Sequence, residues 1–463
     1  MTNLEQSIFK SYDIRGIYPT EINEETAELI AQTFLKIIST KQNKAVKNLK
    51  IVVGRDNRQG SESLIKKVRE TFLAYGVKID DIGLVSTNDF YFAVGYYQYD
   101  GGINATASHN PPQYSGFKMA VFNQAKKAIE FIPGTELYKA LLKMKFPLAE
   151  EEVQGIIKKK EIFDDHLEHI LSFVDVNKIK PFKVVVDTGN GMNGLIIPKL
   201  FKKLPGELIH LFADLDNQFP NRPPNPLLEG AAQKVSQTVL DKKAELGVIY
   251  DADGDRMFLI DEQGNFIRGD MILLLIAKAM LEKNQGAGIV YNLICSHAVP
   301  ELITKWGGKA IRSEVGYRNL AKYMLEENGL MSGEVSGHFA FKDNFYADSG
   351  FIALVLALET ISKDGRKLSE IIKDYNLYAR GDEINIEVEN IESKLNKIRT
   401  HYQKNIRDEI DGITVEFPDY WFNVRPSNTE PLLRITVEAK NQEELKKRQD
   451  EVLKVIGQDT RVG

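Results

Sequence analysis

The sequence predicts an α/β protein built from recurring strand–turn–helix units and closed by a smaller α+β tail. Three observations predict it. Short β-branched runs alternate with helical stretches over most of the chain, the mark of α/β layering. A length of 463 residues exceeds one ordinary core and suggests about three or four domains. Beyond residue 382 the pattern changes to the two-residue alternation of an antiparallel sheet.

Taken in order, the patterns ETAELIAQTFLKIIS (25–39) and SESLIKKVRETFLAYG (61–76) predict helices on either side of KIVVGRD (50–56), a strand running into Gly54 and Asp56. KVVVDTGNGMNG (183–194) leads from a strand into a glycine-rich turn, and LGVIYDADGDR (246–256) from a strand into an acidic turn. GIVYNL (288–293) is a further short buried strand. The apolar runs MILLLIAKAM (271–280) and FIALVLAL (351–358) are too short to span a bilayer and read as buried helices. Boundaries fall in the charged stretch PLAEEEVQGIIKKK (147–160), after the hairpin-like LIDEQGNFI (259–267) and near YNLYARGD (375–382). The predicted segments are therefore 1–155, 156–262, 263–377 and 378–463. In the last, EINIEVEN, GITVEFPDYWFNVRPSN and LLRITVEAK alternate as strands before the closing helix NQEELKKRQDEVLKVIG.

Composition narrows the function classes. Hydrophobic residues make up 43%, charged residues 27%, and the net charge is −5. Lysine clusters such as Lys158–Lys160 are short solvated faces, so no nucleic-acid partner is expected. The lone Cys295, in the apolar run GIVYNLIC, rules out an intrachain disulfide and reads as a buried structural residue. The stretch MTNLEQSIFKSYDIRG lacks the apolar core of a signal peptide, so a cytoplasmic protein with no membrane partner is expected.

Five polar loops hold the chemistry. DADGDR (251–256) sets Asp251, Asp253 and Asp255 at alternate positions after a strand, and such carboxylates repel unless a cation offsets them. Hard oxygen ligands with a tightening glycine suit Mg²⁺. A solvated acidic loop, a calcium loop ending at Glu262 and an aspartyl-phosphatase turn are the competing readings, and Arg256 suits a phosphoryl oxygen. RPSNTEPLLR (425–434) gathers Arg425, Ser427, Asn428 and Thr429 into an oxyanion cradle, or else a capped turn. GEVSGH (333–338) places Glu334, Ser336 and His338 at alternate positions, on one side if the loop is extended, where they suit a polyhydroxylated ligand. YDIRGI (12–17) and GFK (116–118) each set a cation, Arg15 or Lys118, beside glycine. NATASHNPP (104–112) sets Ser108 beside His109, and on extended backbone adjacent side chains point apart, a poor geometry for a Ser–His hydrogen bond.

These stretches together resemble the α-D-phosphohexomutase family. YDIRG, TASHNPPQYSGFK, DADGDR, GEVSGH and RPSNTEP occur in its order over nearly the whole chain, and GEVSGH is most similar to its phosphomannomutase/phosphoglucomutase group. The resemblance implies three related α/β domains with mixed sheets plus a smaller C-terminal α+β domain, arranged around a central active-site cleft. It further implies a phosphoserine at Ser108, bound to Mg²⁺ beside Asp251, Asp253 and Asp255. That serine would interconvert hexose 6-phosphate and hexose 1-phosphate, of mannose or glucose, through hexose 1,6-bisphosphate.

By the same resemblance Arg15, Lys118 and Arg256 neutralise charge, His109 orients Ser108, and Lys118 and His338 are the acid/base candidates. Tyr12, Gly316, Tyr317, Glu334, Val335 and Ser336 would meet the sugar, and Arg425, Ser427, Asn428 and Thr429 the distal phosphate. A phosphoglucosamine mutase and a non-catalytic sugar-phosphate binder on the same scaffold are the alternatives. The expected partners are small sugar phosphates, and the expected state a monomer or homodimer. The chain departs from the group's pattern at Ile294, where a lysine is frequent, and at Tyr317, where Gly316 is usually followed by histidine. Arg312, Arg318 or His297 are the candidates to replace those contacts.

Overall fold

A computed structural model describes residues 5–145, 154–427 and 432–457. The chain forms two compact units, one of Met1–Ile272 with Ser336–Ser369 and the other of Leu273–Val335 with Glu370–Gly463.

The first unit begins with a mixed sheet. Its central strand, Lys50–Arg55, lies parallel to Lys78–Leu84 on one side and to Gly101–Ala105 on the other. Val52 and Val53 are fully buried, as expected of a strand covered on both faces. Gly101–Ala105 pairs antiparallel with Tyr114–Asn123, which pairs antiparallel with Ile14–Ile17. Gly116 makes that last pairing possible, because a Cβ there would lie 1.8 Å from the Ile14 carbonyl oxygen. The helix Glu24–Gln42 is capped by the Asn23 side chain, carries Glu24 and Glu25 in its first turn, and buries Ala27, Ile30, Ala31, Phe34, Leu35 and Ile38.

The second sheet of this unit runs Phe266–Ile267, Met257–Ile260, Leu246–Tyr250, Phe182–Asp187, Gly206–Leu211. Leu246–Tyr250 is buried throughout, parallel to Phe182–Asp187 and antiparallel to Met257–Ile260. The expected hairpin at 259–267 is present as the pairing of Met257–Ile260 with Phe266–Ile267. The apolar run at 351–358 is a helix, Gly350–Asp364, capped by Ser349 and buried on nearly every side. The run at 271–280 lies within a second helix, Gly269–Lys283.

In the second unit Gly288–Asn292 lies parallel to Lys309–Ser313 and to Met331–Gly333. The tail is the antiparallel sheet that the alternation predicts: Ile413–Glu416, Tyr420–Pro426 and Leu432–Ala439 pair in succession, and helix Gln442–Ile456 packs on them. Cys295 is buried, as expected. Among the described residues no helix is long and apolar enough to cross a membrane.

Candidate active site

Two hairpin connections of the first unit meet to form the site. The connection from Gly101–Ala105 to Tyr114–Asn123 carries Ser108; that from Leu246–Tyr250 to Met257–Ile260 carries the acidic turn. Strand register brings in two cations. Arg15 pairs with Gly116 and Lys118 with Asn104, and since cross-strand partners share a face and residues two apart do too, Arg15 and Lys118 lie on one face.

The acidic turn is wound by its own first residue. The Asp251 carboxylate accepts from the backbone N–H of Gly254 (3.0 Å) and Arg256 (3.2 Å) and from Arg256 Nε (2.8 Å). Gly254 has φ +81°, and a Cβ there would lie 2.0 Å from Asn193 Oδ1, so only glycine fits. The turn is also held from outside. Thr87 N donates to the Asp253 carbonyl (2.9 Å) and Thr87 Oγ1 to Asp253 Oδ2 (2.6 Å), while Asn88 and Asn193 donate to the Gly254 carbonyl.

Asp251, Asp253 and Asp255 are fully buried, with ligand oxygens all within 4.8 Å of one another, the one such group among the described residues. Lys118 Nζ donates to Asp253 Oδ2 (2.7 Å) and Asp255 Oδ2 (2.5 Å), and Arg256 pairs with Asp251. Three carboxylates thus face two cations. The shortfall has consequences: burial pushes the Asp251 carboxyl up to about 7 despite Arg256, and Asp255 Oδ1 is buried with no hydrogen-bond partner among the described residues. Burial acts on Asp253 too, but the Lys118 ammonium and its hydrogen bond outweigh it and hold that carboxyl below the usual range. A hard divalent cation fits this all-oxygen set, and would supply the missing charge and the missing partner.

Ser108 Oγ donates to Asp253 Oδ1 (3.0 Å) and lies 3.2 Å from His109 Nδ1. The Ser–His contact corrects the expectation that adjacent side chains point apart. Ser108 is not extended: its φ is +52°, and this left-handed turn brings both side chains to one side. Burial and the neighbouring Arg256 and Arg15 guanidiniums hold the His109 imidazole well below its ordinary range, so at neutral pH it is uncharged. With the serine proton given to Asp253, Nδ1 must carry the ring proton and donate to Oγ. Arg15 is gripped by Asp13 and donates to Asn110 Oδ1 (2.7 Å), tying it to the serine loop.

His338 Nδ1 stands 3.2 Å from Asp348 Oδ2 and 3.9 Å from Asp255 Oδ1. The loop before it is not extended, which corrects the expected alternation: the chain turns at Val335–Gly337, with Gly337 at φ +88°. In the second unit, Glu334 is buried and accepts from Asn292 Nδ2 (3.0 Å) and Gly316 N (3.3 Å). Tyr317, also buried, opens the helix Tyr317–Glu326. Of the candidate replacements for a lost contact, Arg312 is paired with Asp408 and Thr414, and His297 is stacked on Trp421. Arg425 sits opposite Arg434, and Glu383 bridges the two guanidiniums (2.6 and 3.2 Å). Ser427 follows Arg425, while Asn428 and Thr429 lie outside the described residues. Tyr12 is half-buried just before the strand Ile14–Ile17.

Sequence reasoning missed Arg58, Thr87, Asn88, Asp13 and Glu383. Arg58 had one signal, its place two residues past Asp56 at the end of a strand, and Asp13 had its place in YDIRGI beside Arg15; the others had none.

The comparisons agree with the motifs. Four family models match in succession: Phosphoglucomutase/phosphomannomutase alpha/beta/alpha domain I at residues 6–132, domain II at 164–264, domain III at 268–378 and the C-terminal domain at 383–455. A phosphomannomutase of Vibrio cholerae is 37% identical over 445 residues, 94% of this chain and 95% of its own. A phosphomannomutase of Methanocaldococcus jannaschii is 35% identical over 462 residues, 97% of each chain. The crystal structure of a phosphoglucomutase/phosphomannomutase family protein from Burkholderia thailandensis superposes with a TM-score of 0.85 at 30% identity, covering 98% of both chains.

Proposed function

The chain belongs to the phosphoglucomutase/phosphomannomutase family, and from that premise we propose that it is a phosphohexomutase using Ser108 as its phosphoryl carrier. The observation that carries this reading is the buried Ser108 hydroxyl, 3.0 Å from a carboxylate of the acidic triad that Lys118 also contacts. A hydroxyl so placed has its cations ready for a phosphoryl group.

In the proposed reaction a hexose hydroxyl attacks the phosphorus on Ser108. The new P–O bond forms as the P–Oγ bond breaks, the attacking hydroxyl loses its proton and the serine oxygen regains one. Hexose 1,6-bisphosphate results. After turning around, it returns its other phosphoryl group to Ser108 and leaves as the isomeric monophosphate. A Mg²⁺ ion on Asp251, Asp253, Asp255 and the serine phosphate would supply charge neutralisation. Arg15, Lys118 and Arg256 add fixed positive charge, and Arg256 Nη2, buried and without a hydrogen-bond partner among the described residues, is available to a phosphoryl oxygen. His109 Nδ1–H steadies Oγ by a hydrogen bond, and the proton released by the sugar hydroxyl is the one that Oγ regains. Lys118 and His338 remain the acid/base pair for the sugar hydroxyl.

Each segment is proposed to give one loop: serine from 1–155, metal from 156–262, sugar from 263–377 and distal phosphate from 378–463. The sugar residues would be Tyr12, Gly316, Tyr317, Glu334, Val335 and Ser336, and the phosphate residues Arg425, Ser427, Asn428 and Thr429. The test is a panel of glucose, mannose, glucosamine and N-acetylglucosamine phosphates, each with catalytic hexose 1,6-bisphosphate and Mg²⁺. Turnover of glucose or mannose phosphate is expected. Turnover of amino sugars alone would replace the substrate assignment, and turnover of none would leave only a sugar-phosphate binder.

A further inference from the structure

The structure assigns a positioning role to Arg58 and Phe219, which together hold the Ser108 loop in the left-handed form that presents Oγ for transfer; this rests on Ser108 being the phosphoryl carrier.

Arg58 is 3% exposed, and an unpaired guanidinium buried to that degree would be very costly. Its donors go almost wholly to the backbone of the serine loop. Nη2 donates to the carbonyls of Ser108 and Asn110 (2.6 Å each), and Nη1 to those of Pro111 (2.8 Å) and Tyr114 (3.1 Å). Nε faces Asp56 Oδ2 at 3.3 Å, and the Asp56 carboxylate also accepts from Arg58 N (2.9 Å) and Ser61 Oγ (2.5 Å). All four Nη N–H groups are taken by loop carbonyls, and Nε, which makes no hydrogen bond among the described residues, is buried against Asp56, so this arginine acts through the loop and not on the reacting atoms.

It also meets an aromatic ring. The Phe219 ring lies 5.2 Å from the guanidinium carbon. Phe219 belongs to the loop after Gly206–Leu211, which is fixed near Asn190: Phe219 N donates to Asp216 O (3.2 Å) and Asp216 N to Asn190 O (3.1 Å). Arg58 therefore ties the loop that carries the serine to a loop of the second sheet.

Ser108 needs such a tie. A non-glycine residue in the left-handed region is strained and persists only where its surroundings over-determine it. Contacts on every polar group fix Ser108: Thr106 Oγ1 accepts from its N–H (3.0 Å), Asp253 and His109 meet its hydroxyl, and Arg58 donates to its carbonyl. The Asp253 contact changes once the hydroxyl bears a phosphoryl group, whereas the Arg58 contact remains through both halves of the cycle. Lysine cannot substitute, because an ammonium has neither the planar fork for four carbonyls nor a face to lay on Phe219.

Arg58→Lys and Phe219→Leu, compared with the parent, test the role. Three quantities are measured: intact mass after hexose 1,6-bisphosphate and Mg²⁺, kcat and KM for the hexose monophosphate, and the thermal midpoint. The parent is expected to take one phosphate on the 104–118 peptide. Arg58→Lys should lose about 100-fold in kcat with KM nearly unchanged, the cost of displacing a reacting group by about 1 Å. Phe219→Leu should lose about 3–10-fold in kcat, in line with a stacked cation.

Parental kcat in Arg58→Lys overturns the role. So does a raised KM at constant kcat, which would make Arg58 a substrate ligand, or a lowered midpoint with unchanged kcat per folded molecule, which would make it only structural. If Arg58→Lys does not fold, Phe219→Leu alone decides, because it leaves every Arg58 hydrogen bond in place. A parent that takes no phosphate on Ser108 overturns the carrier reading instead.

Discussion

The serine and acidic-turn centre of the first unit and the candidate recognition loops of the second are built differently. In the centre, Arg15, Arg58, Thr87, Ser108, Lys118, Asp251–Arg256 and His338 come from remote parts of the chain and are joined by a dense network of hydrogen bonds and ion pairs. In the second unit each candidate group leans on one or two supports: Glu334 on Asn292 and Gly316, Arg425 on Glu383. The dense region suits chemistry that needs fixed charge at fixed places, at little reorganisation during transfer. The sparser region suits a ligand whose hydroxyl pattern must be read in two orientations. Substitution in the first should remove turnover, and in the second should shift KM and sugar preference.

The sharpest test of that contrast is Ser108→Ala, which should abolish phosphate uptake on the 104–118 peptide and lower kcat by about 10⁴-fold or more. Full activity in that variant would end the carrier assignment. Chelation of divalent metal should cost at least about 100-fold and be reversed by Mg²⁺, since the ion is worth several kcal/mol to a phosphoryl transition state. An unchanged rate would remove the acidic turn as an essential metal site.

Arg256→Met should lower both turnover and unfolding stability, the latter by about 3–5 kcal/mol, because it strands the buried Asp251 carboxylate. Arg222→Met, which strands Asp187 in the same unit, should cost similar stability with kcat per folded molecule retained. Equal loss of kcat in both would erase the distinction between centre and scaffold. Glu334→Gln should change KM and the mannose-to-glucose ratio by about tenfold with kcat largely kept, one charged hydrogen bond's worth.

The smallest effect is acid sensitivity in the second unit. Burial lowers the His297 imidazole from its ordinary 6.5 to about 4. Between those values the unfolded chain binds the extra proton, so the contribution to stability is complete above pH 6.5 and is lost as pH falls toward 4. His297→Phe, keeping a ring against Trp421, should flatten that part of the pH–stability curve. A slope unchanged by the substitution would assign it to other groups.

Much of this was legible because the chemistry sits in short stretches. The residue types of DADGDR suit a hard cation wherever the loop lies, and β-branched runs before polar turns place the loops at strand ends. The supports were not legible. Thr87 reads as an ordinary helix-start residue, Arg58 as a surface charge and Glu383 as one acid among many; each acquires meaning only from its partner 166, 50 or 42 residues away.

What the sequence determined alone is the fold class and the carboxylates and cations of the polar loops, since these depend on residue type and local period; the place of Ser108 beside them came from the family resemblance. What only tertiary structure decided is conformation and pairing. Ser108 at φ +52° faces its own neighbour His109, where extended backbone would have parted them, and GEVSGH turns where alternation would have run straight. Those outcomes follow from contacts between segments far apart in the chain, and local propensity carries no information about them.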